Sequence, residues 1–163
     1  MSFRAGVAPN PPGLGDFLLV MADAYLCPMP MTYELMTRKS FSVQLSGNST
    51  AEDIDATGST YYGITFNATH VTLRVTYLNS GTWAQYRLYW QVYDGVATRN
   101  GPEVQTGGIK LNSSETVTVP AFTYEGPLTN NTLRAALYWT TNDHPGNRVT
   151  ITFSTVVTGY LRV

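Results

Sequence analysis

Cysteine, histidine and charge are all scarce in this chain, and each shortage removes a class of function. The single cysteine, Cys27, can neither close an intrachain disulfide nor build a multi-thiolate zinc site. Two histidines, His70 and His144, are too few for a three-histidine metal centre. Charged residues make up 13% of the chain, about half of the ~25% usual for a soluble globular protein. Ten basic residues against eleven acidic ones leave a net charge of -1, without the basic excess that direct nucleic-acid binding requires. No apolar run approaches the ~20 residues of a membrane span; the longest, from Phe17 to Leu26, is interrupted by Asp23 and followed by Pro28. The opening MSFRAGVAPNPPGLG has no apolar core, so no secretory signal is expected there. Neither a GxGxxG nor a Walker loop nor a GxSxG elbow occurs, and no nucleotide or other cofactor is implied.

Hydroxyls and amides stand in for the missing charge: Thr, Ser and Asn supply 43 of the 163 residues. Their distribution, together with that of Met and Pro, divides the chain near Lys39. All five Met, the only Cys and five of the nine Pro precede it. The residues that follow are rich in Thr, Tyr and β-branched types. The expected organisation is an N-terminal arm, residues 1–39, and a β domain, residues 40–163. Asp16 can cap a short helix over Phe17 to Leu26, and the same segment can equally run as a strand. The arm is too short to bury its own Phe17, Leu18, Leu19, Tyr25, Met29 and Met31, so these are the candidate assembly residues.

In the β domain the hydrophobic period is two. Val71, Leu73, Val75 and Tyr77 alternate with polar residues, as do Val149, Ile151, Phe153 and Thr155. Shorter versions occur at Phe41, Val43 and Leu45, at Tyr62, Ile64 and Phe66, at Val117 and Val119, and at Leu133, Ala135, Leu137 and Trp139. Turn clusters separate them: SGNST, ATGST, LNSGT, Asp94-Gly95, RNGPE, TGG, EGP and NDHPGN. The pattern predicts an all-β antiparallel two-sheet sandwich, a jelly roll or Greek key of about eight strands. From Trp83 to Tyr93 one strand is apolar on both faces. Ala84, Tyr86, Leu88, Trp90 and Val92 make one face apolar, Trp83, Tyr89 and Tyr93 make the other aromatic, and both need cover. That cover is either the arm of the same chain, a second subunit or a ligand.

Chemistry-bearing residues do not assemble into a recognisable constellation. His70 is expected at the edge of a strand and His144 in a Pro-Gly turn beside Asp143, neither with the partners of a general base. Glu52, Asp53 and Asp55, in AEDID, lack the spacing of a calcium loop and read as a solvated loop. In CPMPM the prolines force an extended path that places Cys27, Met29 and Met31 on one side. This favours an apolar packing strip over a copper(I) site, since no His joins the segment. The four Asn-x-Ser/Thr triplets, at Asn48, Asn67, Asn112 and Asn130, compare with roughly two expected by chance. Neither catalytic nor metal-binding residues are assigned, and no enzyme activity is expected.

The arm MSFRAGVAPNPPGLGDFLL, the segment CPMPM and the strands from Phe41 onward together resemble small single jelly-roll capsid or virion-surface proteins of bacteriophages. The resemblance implies a structural subunit located in the virion, partnered by further copies of itself and by other virion proteins. It departs from RNA-packaging versions, whose arms are strongly basic, because Arg4 is the only cation before Arg38. A second expectation is a receptor- or glycan-binding tip of a phage tail or head fibre, with Trp83, Tyr89 and Tyr93 stacking on sugar faces.

Overall fold

A computed structural model describes residues 38–141 and 146–163. The arm residues Phe17, Leu18, Leu19, Tyr25, Met29 and Met31, the segment CPMPM and His144 lie outside these described residues. Within them the chain is entirely β, with fourteen strands and antiparallel pairing throughout. In chain order they are β1 (Arg38–Ser46), β2 (Ala51–Asp55), β3 (Tyr61–Phe66), β4 (Thr69–Tyr77), β5 (Trp83–Ala84), β6 (Tyr86–Tyr93) and β7 (Thr98–Asn100). There follow β8 (Val104–Gln105), β9 (Ile109–Lys110), β10 (Ser114–Val119), β11 (Phe122–Pro127), β12 (Thr132–Thr141), β13 (Arg148–Thr152) and β14 (Ser154–Arg162).

Two sheets face each other across the core. One has the order β1-β14-β3-β11, and the other β2-β12-β6-β7, with β8 also on β6. Alternation supplies both inner faces: Tyr62, Ile64 and Phe66 from β3 meet Tyr86, Leu88, Trp90 and Val92 from β6 and Leu133, Ala135 and Leu137 from β12, all buried. Trp90 is the central side chain. Its ring stacks on Phe66 at 5.1 Å and meets Phe153 edge-on at 6.3 Å.

A third sheet, β10-β4-β13, continues the first. β3 runs into β4, β10 into β11 and β13 into β14 across breaks of one or two residues. The register of β4 with β10 carries over to β3 with β11, because Thr69 pairs with Val119 and Phe66 with Phe122. The buried positions switch at the break from even (Tyr62, Ile64, Phe66) to odd (Val71, Leu73, Val75). Three long ribbons thus change sheet together, which is why fourteen strands occur where the hydrophobic pattern suggests about eight.

Other expectations are corrected in detail. Val149 to Thr155 is two strands, which part at the buried Phe153. Tyr77 faces outward, 47% exposed, with the Arg148 guanidinium 5.4 Å from its ring centre. The EGP turn is instead the end of β11, where Glu125 pairs with Gly63 and Pro127 with Tyr61. AEDID is the edge strand β2 rather than a loop, because Ile54 is buried in the core and holds the segment in register with β12. His70 lies within β4, the middle strand of its sheet, with Nδ1 2.8 Å from the Thr118 hydroxyl.

The strand expected from Trp83 to Tyr93 is broken at Gln85 into β5 and β6. Thr106 causes the break. Its buried hydroxyl accepts the Tyr86 N–H at 3.0 Å while its own N–H donates to the Tyr86 carbonyl at 2.9 Å. β5 then peels away to form a separate two-stranded ribbon with β9.

Candidate functional site

The turn after β6 fixes one end of the sandwich. Asp94-Gly95-Val96-Ala97 closes with the Asp94 N–H donating to the Ala97 carbonyl at 3.3 Å. Gly95 has φ +91°, and a Cβ there would collide with the Thr129 carbonyl oxygen, so no other residue fits. The Asp94 carboxylate, 2% exposed, accepts from the N–H groups of Val96 (3.2 Å) and Ala97 (3.1 Å), from Arg99 Nε (3.2 Å) and from the Tyr62 hydroxyl (3.3 Å). Burial pushes its acidity down, but the two N–H donors and the Arg99 guanidinium outweigh burial and hold the carboxyl below its ordinary pKa. Burial, with Asp94 beside it, pushes the Tyr62 hydroxyl up, which keeps it a proton donor. This cluster is a structural clasp between the facing sheets. Its members are satisfied by one another, which suits a scaffold rather than a reaction.

The outer face of the β2-β12-β6-β7 sheet is the more open surface. Antiparallel register places Asp53, Arg134, Tyr93 and Thr98 in one cross-strand row, and Ala51, Ala136, Gln91 and Asn100 in the next. Tyr138 pairs with Tyr89 beyond them, their rings 5.4 Å apart. Arg134 donates to Asp53 from Nε at 2.7 Å and from a terminal nitrogen at 3.3 Å, a bidentate exposed pair. Gln91 Nε2 donates to Asn100 Oδ1 at 3.1 Å. Beside the first row lies a depression of about 570 Å3, bounded by Tyr93, Gln91, Thr98, Arg134, Asp53 and the turn at Asn131.

Of the three expected surface aromatics, the structure brings two together. Tyr89 is half buried against Tyr138, and Tyr93 is 40% exposed at the depression. Trp83 stands elsewhere, on β5, paired with Lys110 and with its ring against Gly108. There Trp83 is 44% exposed on the β5–β9 ribbon, and Leu111, directly after β9, is 47% exposed. The sequence reasoning missed Tyr138, Arg134 and Gln91. Alternation along β12 puts Arg134, Ala136 and Tyr138 outward, but only the pairing of β12 with β6 places them beside Tyr89 and Tyr93.

Glu52, Asp53 and Asp55 do not form a cation site. Asp53 is engaged by Arg134, Asp55 by the hydroxyl and N–H of Thr57, and Glu52 by the Ser49 hydroxyl. Among the described residues no three His, Cys, Asp or Glu converge in a way that could hold a metal ion. No described helix is long and apolar enough to cross a membrane.

No protein-family model and no curated protein sequence matches the chain. Among the solved structures that resemble it are two of infectious bursal disease virus. The structure of infectious bursal disease virus, Gx strain, is 14% identical with a TM-score of 0.36, over 77% of this chain and 34% of that one. The structure of the Gt strain is 16% identical with a TM-score of 0.31, over 77% and 35%. The chain thus spans about a third of the length of these structural neighbours. Likenesses this slight carry no functional weight.

Proposed function

We propose that the chain is a non-enzymatic structural subunit of a virus particle, of bacteriophage type, which assembles with copies of itself and other virion proteins through its N-terminal arm and surfaces of its β-sandwich. The observation that carries this reading is the exposure of two large apolar side chains at the β5–β9 ribbon, Trp83 on β5 and Leu111 directly after β9. These large side chains are exposed in a protein with few charges, and burying them against a neighbour removes apolar area from water at little electrostatic cost. The arm adds a second apolar element that its own 37 residues before β1 are too few to bury. In a closed symmetric assembly every copy can offer the same arm to the same surface of its neighbour. The sealed core and the clasp at Asp94 suit a rigid building block.

The test is the oligomeric state by sedimentation of the full chain, of a deletion of residues 2–36, and of Trp83→Glu with Leu111→Glu. The deletion is expected to stay folded and lose the native assembly, and the double variant to weaken it. Retention of the native oligomer by both would defeat the reading.

A further inference from the structure

We propose that the depression beside Tyr93 is a binding site for a neutral oligosaccharide. The inference stands apart from the assembly reading, which rests on Trp83 and Leu111 at the β5–β9 ribbon and on the arm.

Three features of the site select the ligand class. First, the depression has a volume of about 570 Å3, within the range of about 300–1,000 Å3 of ordinary ligand sites. It is open along one side rather than enclosed, which suits a chain of rings better than a compact cofactor. Second, its apolar contribution is an aromatic ring. Tyr93 is 40% exposed at the rim, and an exposed ring presents a flat electron-rich face to the C–H face of a pyranose. The Tyr89–Tyr138 pair lies on the same face of the sheet, beyond Gln91. Four residues of strand separate Tyr89 from Tyr93, about 14 Å at ~3.4 Å per residue, so separate rings of one oligosaccharide can meet them.

Third, the polar groups are of the kind that hydroxyls require. Gln91, Thr98 and Asn131 offer amides and a hydroxyl, and Asp53 and Arg134 offer a planar acceptor and a planar donor. Asp53 and Arg134 neutralise one another through their bidentate contact, so the site presents paired donors and acceptors without net charge. A phosphate, sulfate or carboxylate would have to compete with Asp53 for Arg134. A vicinal diol can instead donate to one partner and accept from the other without breaking the pair. The pair is exposed, 54% for Arg134 and 69% for Asp53, and exposed pairs contribute little to folding. Recognition gives this one a use that stability does not. Gln91 is pre-oriented by Asn100, which lowers the cost of ordering it on binding.

The experiment uses the full chain and a panel of neutral oligosaccharides with gluco, galacto, manno and N-acetylhexosamine linkages, at millimolar concentration. Binding is read from backbone amide NMR shifts. The expected result is saturable shifts confined to residues around Gln91, Tyr93, Asn131 and Arg134 for at least one sugar. Tyr93→Ala should weaken that binding by about tenfold, the loss of a stacking contact. Tyr93→Phe should preserve it, Asp53→Asn and Arg134→Gln should each weaken it, and Trp83→Ala should leave it unchanged. Sialylated and sulfated analogues should bind no better than their neutral parents. The inference is overturned if no neutral sugar shifts these residues, if Tyr93→Ala binds as well as the wild type, or if the anionic analogues bind more tightly. It is also overturned if Tyr93 proves to be covered by a second copy of the chain, seen as concentration-dependent shifts of the same residues without sugar.

Discussion

Replacing Asp94 should reveal how much of the sandwich hangs on one carboxylate. In Asp94→Ala four donors lose their acceptor: the N–H groups of Val96 and Ala97, Arg99 Nε and the Tyr62 hydroxyl. A hydrogen bond to a charged group is worth about 1.5–3 kcal/mol, and a buried donor left unpaired costs about 1–3 kcal/mol. Arg99 can turn to water, and the turn amides are only partly buried, so the terms do not simply add. Tyr62 is fully buried and cannot escape. A loss of about 3–4 kcal/mol is expected. Asp94→Asn keeps one oxygen for the turn but turns an amide toward Arg99 and Tyr62, and should cost about 1.5–2 kcal/mol. Tyr62→Phe gives up one long bond for about 1 kcal/mol. Combined with Asp94→Ala it should cost less than the sum, because the orphaned hydroxyl is gone. The sign with pH follows from the lowered pKa. A carboxyl bound more weakly to its proton when folded stabilises fully above its unfolded pKa of about 3.9. That contribution disappears as pH falls through the lower folded value. Asp94→Asn should therefore flatten the fall of stability with acid. Urea unfolding at pH 7 and below pH 4 measures all of this. If Asp94→Ala falls within about 0.5 kcal/mol of wild type, the ordinary range for an inconsequential surface change, the clasp is not structural and the reasoning fails.

Other consequences are simpler to read. Trp90→Ala, which empties the space between Phe66 and Phe153, should cost about 3–5 kcal/mol in urea melts. Trp90→Phe should cost much less, because the buried indole N–H has no hydrogen-bond partner among the described residues and its removal relieves a penalty. Gly159→Ala should destabilise by about 2–3 kcal/mol, since its Cβ would fall on the Gly63 carbonyl and the Phe41 ring; a variant melting like wild type would show that β3 and β14 are looser than described. Asp53→Asn should leave the melting temperature unchanged, and a clear drop would assign the pair to folding. The assembly proposed above should persist from about 0.05 to 1 M salt, where the Debye length shrinks from over 10 Å to about 3 Å; dissociation as salt rises would show that charge holds it.

Alternation made most of the inner surface legible before any coordinates. Tyr62, Ile64, Phe66, Val71, Leu73, Val75, Leu88, Trp90 and Val92 are all buried where a period of two puts them. What alternation could not reveal was where a ribbon changes sheet. The break between Phe66 and Thr69 shows only as a shift in phase, and the one at Phe153 shows no shift at all. Turn residues misled where pairing overrode them. Gly126 and Pro127 end a strand because Tyr61 and Tyr62 supply partners from β3, and Pro is tolerated at such an end where no ladder N–H is needed. The Tyr89–Tyr93 surface was half legible. Its β6 residues follow from periodicity, whereas Arg134 and Tyr138 arrive through a register set some 45 residues away in sequence. Trp83 left that surface because one buried hydroxyl, on Thr106, replaced a backbone partner.

The low charge acquires a structural meaning on the outer face of the β10-β4-β13 sheet. Thr72 and Thr116 share a hydrogen bond of 2.7 Å across the strands, and His70 and Thr118 share one of 2.8 Å. Near the break between sheets, the Thr69 hydroxyl donates to the Asn67 carbonyl at 2.9 Å and accepts from the Thr155 hydroxyl at 3.1 Å. A surface whose hydroxyls already pair with one another keeps those bonds when a neighbour covers it, whereas a surface of Lys and Glu must give up hydration that new contacts rarely restore in full. Threonine also favours the strand backbone itself. The same residue type therefore keeps the face wettable in the free subunit, holds its strands in register and lowers the cost of covering it. That combination is of most use to a protein that exchanges water for neighbours, and it links the charge-poor composition to the assembly proposed above.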